Sequence, residues 1–216
     1  MPAAPSETFA ALDLPHIRHA FLCRVPGLDV GVEREEALRR LDESHAAARH
    51  ELGFGAMPLA TAQQVHGNEV AVVEAAQAAP APGADALVTN RRNIALGIYV
   101  ADCCAIYLVD PVKRAIGLAH SGRKGTELGI ATKAIAAMAE NFGSNSADLI
   151  AQLSPCIRPP HYEVDFAAEI ARQCRASGVR EVFDCGENTA SDLARYYSYR
   201  VEHGKTGRML ALLALD

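Results

Sequence analysis

The sequence predicts a mixed α/β (α+β) fold in a single domain over 1–216, and three observations carry that expectation. Strand-like apolar segments outnumber helical ones. Regular β–α–β alternation is missing. A chain of 216 residues, half of them hydrophobic, suits one well-filled core. A mixed sheet covered by helices fits this pattern better than a doubly wound one. No internal repeat or long linker divides the chain.

In chain order, residues 32–52 form the first expected helix. Leu38, Leu41, Ala48 and Leu52 fall on or near one stripe, Glu and Arg surround it, and Gly53 and Gly55 end it. An alternating strand is expected over 69–73, then a surface loop over 75–84, where AAQAAPAPGA is small and proline-rich. The stretches 86–89, 94–100, 104–109 and 115–119 are apolar and β-branched, as strands are. A second helix is expected over 126–141, with Ile130, Ala131, Ala134, Ile135 and Met138 on its apolar face and Gly143 as its stop. After a strand over 149–153, Asp165 caps a third helix reaching 177. Phe166, Ile170 and Cys174 recur along it every four residues. Strands over 181–183 and 209–215 complete the pattern.

Charge narrows the function classes. Twenty-one Lys and Arg against 26 Asp and Glu give a net charge of −5. That argues against nucleic acid or an anionic membrane surface as partner, since both favour a basic face. No apolar run approaches the ~20 residues of a membrane span. The N-terminal segment lacks the basic start and apolar stretch of a secretion signal, so a cytoplasmic location is expected. The six cysteines, Cys23, Cys103, Cys104, Cys156, Cys174 and Cys185, are then expected as free thiols, metal ligands or nucleophiles. No CxxC pair occurs, which excludes a zinc ribbon or a thioredoxin-type motif.

Three short segments offer chemistry: 64–67 (QVHG), 101–104 (ADCC) and 119–125 (AHSGRKG). Each sets a His or Cys at an expected strand end beside turn-forming residues, where an α/β scaffold exposes reactive groups. His66, Cys103 and His120 would make a three-ligand set that leaves a fourth metal position open. They lie 37 and 17 residues apart, with no local metal signature, so on spacing alone buried cysteine as a small hydrophobe stays open beside metal ligation. Neighbours on a strand point to opposite faces, and Cys104 shares parity with Ile106 and Leu108, which suits a core face; Cys103 is therefore favoured as the site residue. The run 117–126 (GLAHSGRKGT) reads as strand, glycine turn and helix start, where an anion could dock beside Arg123 and Lys124. It is not a P-loop, which needs Lys followed by Ser or Thr after the glycine. A cytidine-type deaminase fits less well, because His66 and Glu69 have the wrong spacing and no CxxC follows.

The segments QVHGNEV, ADALVT, ADCCAIYLVDP, GLAHSG, HYEVD and SYR occur here in the order they take in the YfiH/laccase-domain family. The chain resembles that family from about Thr61 onward. The resemblance implies a four-layer α/β/β/α sandwich similar to the catalytic domain of cytotoxic necrotizing factor. It implies zinc (Zn2+) held by His66, Cys103 and His120, which also form the catalytic group. It implies phosphorolysis of adenosine, inosine and methylthioadenosine, with adenosine deamination beside it, so that nucleoside and phosphate are the partners. Gln64, Arg123, Lys124 and Arg200 are the candidate substrate and phosphate contacts, Arg200 through the SYR motif.

The chain departs from the family pattern in four places. Arg123-Lys124 stands where the family has Trp-Arg, 154–164 (SPCIRPPHYEV) replaces GPAIGPCCYEV, Cys104 replaces leucine, and the region before His66 is shortened. His161, where the family has Cys, could be a fourth ligand or a substrate contact, and an exposed loop histidine is the expectation. The alternatives are a Cys-His hydrolase or deamidase with Cys103 as nucleophile and His120 as base, a peptidoglycan-editing enzyme, and a non-catalytic zinc binder. An oxidase is not expected, because multicopper chemistry uses H-x-H pairs and none occurs among the eight histidines. The sequence leaves the oligomeric state open, with a monomer as the working expectation.

Overall fold

Alternating and fully apolar segments fold in the computed structural model, which describes residues 2–216, into two mixed sheets and four α-helices. The elements are β1 (Ser6–Glu7), β2 (Ile17–Leu22), α1 (Arg34–Glu51), β3 (Leu59–Thr61), β4 (Glu69–Val72), β5 (Ala84–Thr89), β6 (Ala95–Val100) and β7 (Cys104–Asp110). They continue with β8 (Ala115–Ser121), α2 (Arg123–Glu127), α3 (Ile130–Phe142), β9 (Ile150–Leu153), α4 (Phe166–Ala176), β10 (Glu181–Asp184) and β11 (Met209–Leu215). The first sheet has the order β1-β2-β11-β6-β3 and the second β10-β9-β7-β8-β5-β4. Among the described residues no helix is long and apolar enough to cross a membrane.

Two cores result. One core gathers Ala105, Tyr107 and Val109 of β7 and Ile116 and Leu118 of β8, together with Leu96 and Ile98 of β6, all of β11, and the buried side of α1. On the other face of the second sheet, Cys104, Ile106 and Leu108 pack with α3 and α4. The parity argument therefore sorts Cys103 from Cys104 correctly, but its premise needs correcting. Both faces of β7 are core, because a strand covered by a sheet on one side and helices on the other is apolar throughout.

Several expectations shift. The helix expected over 126–141 is two helices, broken where Gly129 takes φ 74 in the left-handed region; Gly143 ends α3 as expected, at φ 68. The buried side of α1 is Ala37, Leu41, Ser44, His45 and Ala48, so the stripe read through Leu38 and Leu52 is displaced by part of a turn. Asp165 does cap α4, accepting from Ala168 N at 3.0 Å. The expected loop 75–84 is exposed over much of its length, but Ala81 is buried and bridges Ala62. β1, β2 and β3 carried no prediction. β2 flanks β11 in register from Leu210↔Leu22 to Leu215↔Ile17, so a strand near each end of the chain builds the middle of the first sheet.

Candidate metal centre and its cavity

Two connections that carry the chain from the first sheet to the second bring the site together. The β3–β4 connection carries His66, and the β6–β7 connection carries Cys103. His120 lies on β8, paired with Ala105, so Cys103 two residues earlier is its diagonal neighbour on the same face. β5 pairs Ala86 with Ala119; one step further along that register stands Asp85, beside His120.

Backbone strain marks both connections. Gln64, His66 and Asp102 hold φ of 60, 59 and 75, which costs a non-glycine residue about 1 kcal/mol or more. Carboxylates hold them there. Asp85, fully buried, accepts from the amides of Val65 (3.1 Å), His66 (2.9 Å) and Gly67 (2.7 Å). Asp102 accepts from Thr189 Oγ1 (2.7 Å), Ser198 Oγ (3.1 Å) and Arg200 N (2.7 Å). The Gln64 side chain donates from Nε2 to Tyr99 O at 2.6 Å and accepts Tyr99 N–H at 3.0 Å. It thus imitates a strand neighbour of β6, pairing one amide hydrogen and its carbonyl oxygen with the Tyr99 backbone.

The donor atoms of His66, Cys103 and His120 all lie within 4.8 Å of one another, and this is the one such group among the described residues. Donors around a tetrahedral ion with bonds of ~2.0–2.3 Å stand about 3.3–3.8 Å apart, so a small closure would seat one. His120 Nδ1–H donates to Asp85 Oδ1 at 2.8 Å, which fixes the tautomer and leaves Nε2 for the metal side. The His66 and His120 rings meet edge to face, 4.8 Å between centroids. Gly122 keeps the space clear, since a Cβ there would stand 2.6 Å from Cys103 Sγ. Burial pushes the Cys103 thiol up, but the His120 charge and hydrogen bonds from His120 and His66 outweigh it and bring it down to about 6. Burial opposes charge on His120, while the Cys103 charge and the Asp85 hydrogen bond raise it to about 9. A thiolate, two imidazoles and a buried carboxylate behind one of them are a donor set suited to a borderline-soft ion.

The group forms the floor of a cavity of about 820 Å³ whose walls include Gln64, Arg123, Lys124, Tyr162 and Arg200. The cations of this rim are largely engaged. Arg123 pairs with Glu127 (3.0 Å) and Glu163 (3.4 Å), and Arg200 pairs with Glu163 (2.7 Å) while lying over Tyr162. Lys124 is exposed and makes no ion pair among the described residues. Near the expected anion-binding turn, the Ser121 and Thr126 hydroxyls bond each other and Thr126 donates to Gly122 O, and α2 is only five residues long. His161 is exposed, 3.1 Å from Asn188, and is not part of the cavity wall. Sequence reasoning missed Asp85, Asp102 and Gly122 as site residues. A carboxylate inside the apolar run 84–89 was the available signal for Asp85.

The family model described as multi-copper polyphenol oxidoreductase laccase matches residues 23–172 and 165–216. A purine nucleoside phosphorylase of Deinococcus radiodurans is 33% identical over 235 residues, covering 92% of this chain and 89% of that protein. Purine nucleoside phosphorylase ORF3 of Streptomyces griseus is 40% identical over 129 residues, 58% of this chain and 52% of that one. Among solved structures, hypothetical protein YfiH of Bacillus licheniformis superposes with a TM-score of 0.82 at 21% identity, over 95% of this chain and 98% of its own. YlmD of Geobacillus stearothermophilus gives 0.78 at 24%, over 96% and 94%.

Proposed function

The chain belongs to the family described as multi-copper polyphenol oxidoreductase laccase, and we propose that it is a zinc-dependent purine nucleoside enzyme that cleaves adenosine, inosine or methylthioadenosine with phosphate. One observation carries this reading: His66, Cys103 and His120 meet at the floor of a single cavity large enough for a nucleoside, in a chain whose relatives bear the name purine nucleoside phosphorylase. The four-layer α/β/β/α order and the likeness to cytotoxic necrotizing factor belong to the same reading.

In this reading His66, Cys103 and His120 hold the ion, which supplies a Lewis-acidic position open to substrate. Asp85 keeps the His120 ring oriented, and the Asp102 carboxylate holds the backbone that carries Cys103 and Arg200. Arg123, Lys124 and Arg200 contact the nucleoside side of the cavity, with Glu163 as the exchangeable partner of the two arginines. Phosphorolysis forms a bond from a phosphate oxygen to C1′ of the ribose as the glycosidic bond breaks, and the departing purine takes up a proton.

A second reading is favoured by one observation, the thiol brought down to about 6 beside a charged His120. In the metal-free chain that pair has the form of a Cys-His hydrolase or deamidase. Incubation of zinc-quantified protein with inosine or adenosine, with and without phosphate, separates these. Free base formed only with phosphate supports phosphorolysis. Inosine formed from adenosine without phosphate shows deamination. Activity that rises on zinc removal supports the Cys-His hydrolase. Full zinc without nucleoside turnover contradicts the nucleoside reading and leaves peptidoglycan editing or a non-catalytic zinc binder.

A further inference from the structure

We infer that Arg208, assisted by Arg34, forms the oxyanion subsite of the cavity, and that its ligand is phosphate, free or as a nucleotide's ester. The inference deepens the nucleoside reading and rests on it for the ligand's role, though not for the subsite itself.

Arg208 lines the cavity. Its Nη1 donates to the carbonyls of Thr206 (2.7 Å) and Gly207 (2.9 Å), which uses both hydrogens of that nitrogen. The Nε–Nη2 edge, the geometry that grips a phosphate with two parallel bonds, has no acceptor among the described residues. The side chain is also held in place. Its guanidinium carbon lies 5.8 Å from the centre of the Tyr199 ring. Gly207 packs so closely on Tyr197 that a Cβ would meet the ring at 2.6 Å. The position is tied to the metal floor by sheet register: Met209 pairs with Val100, so Arg208 continues opposite Ala101, two residues before Cys103.

Arg34 opens α1 on the same cavity, with a single long bond to Gln63 O at 3.4 Å and no carboxylate partner. The one acid beside it on the wall, Glu33, faces Lys205 at 3.8 Å. Burial and the Arg34 charge push the Arg208 guanidinium down, and they outweigh the opposing charges of Cys103, Tyr199 and Asp102. The rim is the reverse case, where Glu163 already occupies Arg123 and Arg200. At Arg34 and Arg208 an incoming anion meets guanidinium groups with no ion pair among the described residues, whereas at Arg123 and Arg200 it has to displace a carboxylate.

The test is titration of zinc-loaded protein with inorganic phosphate, read by calorimetry, with zinc content and melting temperature as checks on the fold. Arg208→Met is expected to weaken phosphate binding at least about tenfold and Arg34→Met severalfold, while Arg172→Gln, at an exposed cation outside the cavity, leaves it within a factor of two. Arg208→Lys, which keeps the charge and loses the fork, is expected to fall between wild type and Arg208→Met. Competition by inosine 5′-monophosphate separates the sources. A nucleotide that displaces phosphate and binds tighter than inosine through Arg208 makes the ligand an ester. Inosine and phosphate binding together make it free phosphate. No turnover enters the readout, so phosphate binding lost in Arg208→Met by a protein that cleaves no nucleoside upholds the subsite and removes the nucleoside reading. Absence of saturable phosphate binding in the wild type overturns the inference, as does loss on Arg123→Gln with none on Arg208→Met.

Discussion

The floor of the cavity and its rim are built on opposite principles. On the floor, His120 is 4% exposed and its partner Asp85 fully buried, Cys103 is half-buried and His66 exposed, and the strained residues at 64, 66 and 102 are held by hydrogen bonds to Tyr99, Asp85, Thr189, Ser198 and Arg200. On the rim, Arg123, Glu163 and Arg200 are each about half exposed, and their side chains form ion pairs only with one another or with Glu127. A floor of this kind needs only a small closure to meet the fixed bond lengths of an ion. The rim can exchange one ionic partner for another at little cost, because exposed pairs contribute only about 0–1 kcal/mol.

The largest expected effect lies on the floor. Cys103→Ala removes a ligand and should lower zinc affinity by more than about 100-fold, beyond what loss of a supporting residue does, whereas Cys104→Ala keeps the metal and lowers stability by about 1 kcal/mol. Competition with a chromogenic chelator measures both, and equal metal loss in the two variants would break the assignment of the two faces of β7. Asp85→Asn comes next. It takes away the carboxylate that orients His120 and the acceptor of three amides, so a loss of about 10–100-fold in affinity is expected from the same titration.

In metal-free protein, Cys103 should outpace Cys156 in alkylation by at least about tenfold at pH 7, because its thiolate is already the main form while burial and the neighbouring Cys104 raise Cys156. The sign is set by the lowered value. The Cys103 rate should stay nearly level from pH 8 to 7 and fall as pH drops through about 6, whereas an ordinary thiol loses rate from pH 9 downward. Peptide mapping of the alkylated chain reads this directly. The smallest effect belongs to the rim. Glu163→Gln frees Arg123 and Arg200 and should change unfolding free energy by less than about 1 kcal/mol in a urea titration, with zinc content unchanged. A Glu163 variant that lost zinc would erase the distinction between floor and rim.

The same contrast governs what the sequence could tell. His66, Cys103 and His120 were legible because strand ends beside glycines are visible as composition, and alternation along β7 separated Cys103 from Cys104. Asp85 and Asp102 were not singled out, since their roles are hydrogen bonds to segments as far as 98 residues away, which local pattern does not encode. The break at Gly129 was hidden by good helix formers on both sides, and only the left-handed backbone there reveals it. Nor did Arg208 stand out, because a lone arginine before an apolar strand reads the same whether it is solvated or aimed into a cavity. β2 escaped because IRHAFL mixes polar and apolar residues without a clean period, while the β11 run MLALLAL is apolar throughout.

His66 and Cys103 sit on the two passages from the first sheet to the second, and that has a consequence in time. Neither sheet alone owns the donor set, so an unfinished chain in which the sheets have yet to meet offers at most a scattered pair of ligands. The third arrives when the most distant contacts of the fold close, the slow part of a chain rich in non-local pairing. Tight ion capture would then mark completed assembly, and the metal would act as a latch on the last step of folding as much as a reagent in the cavity.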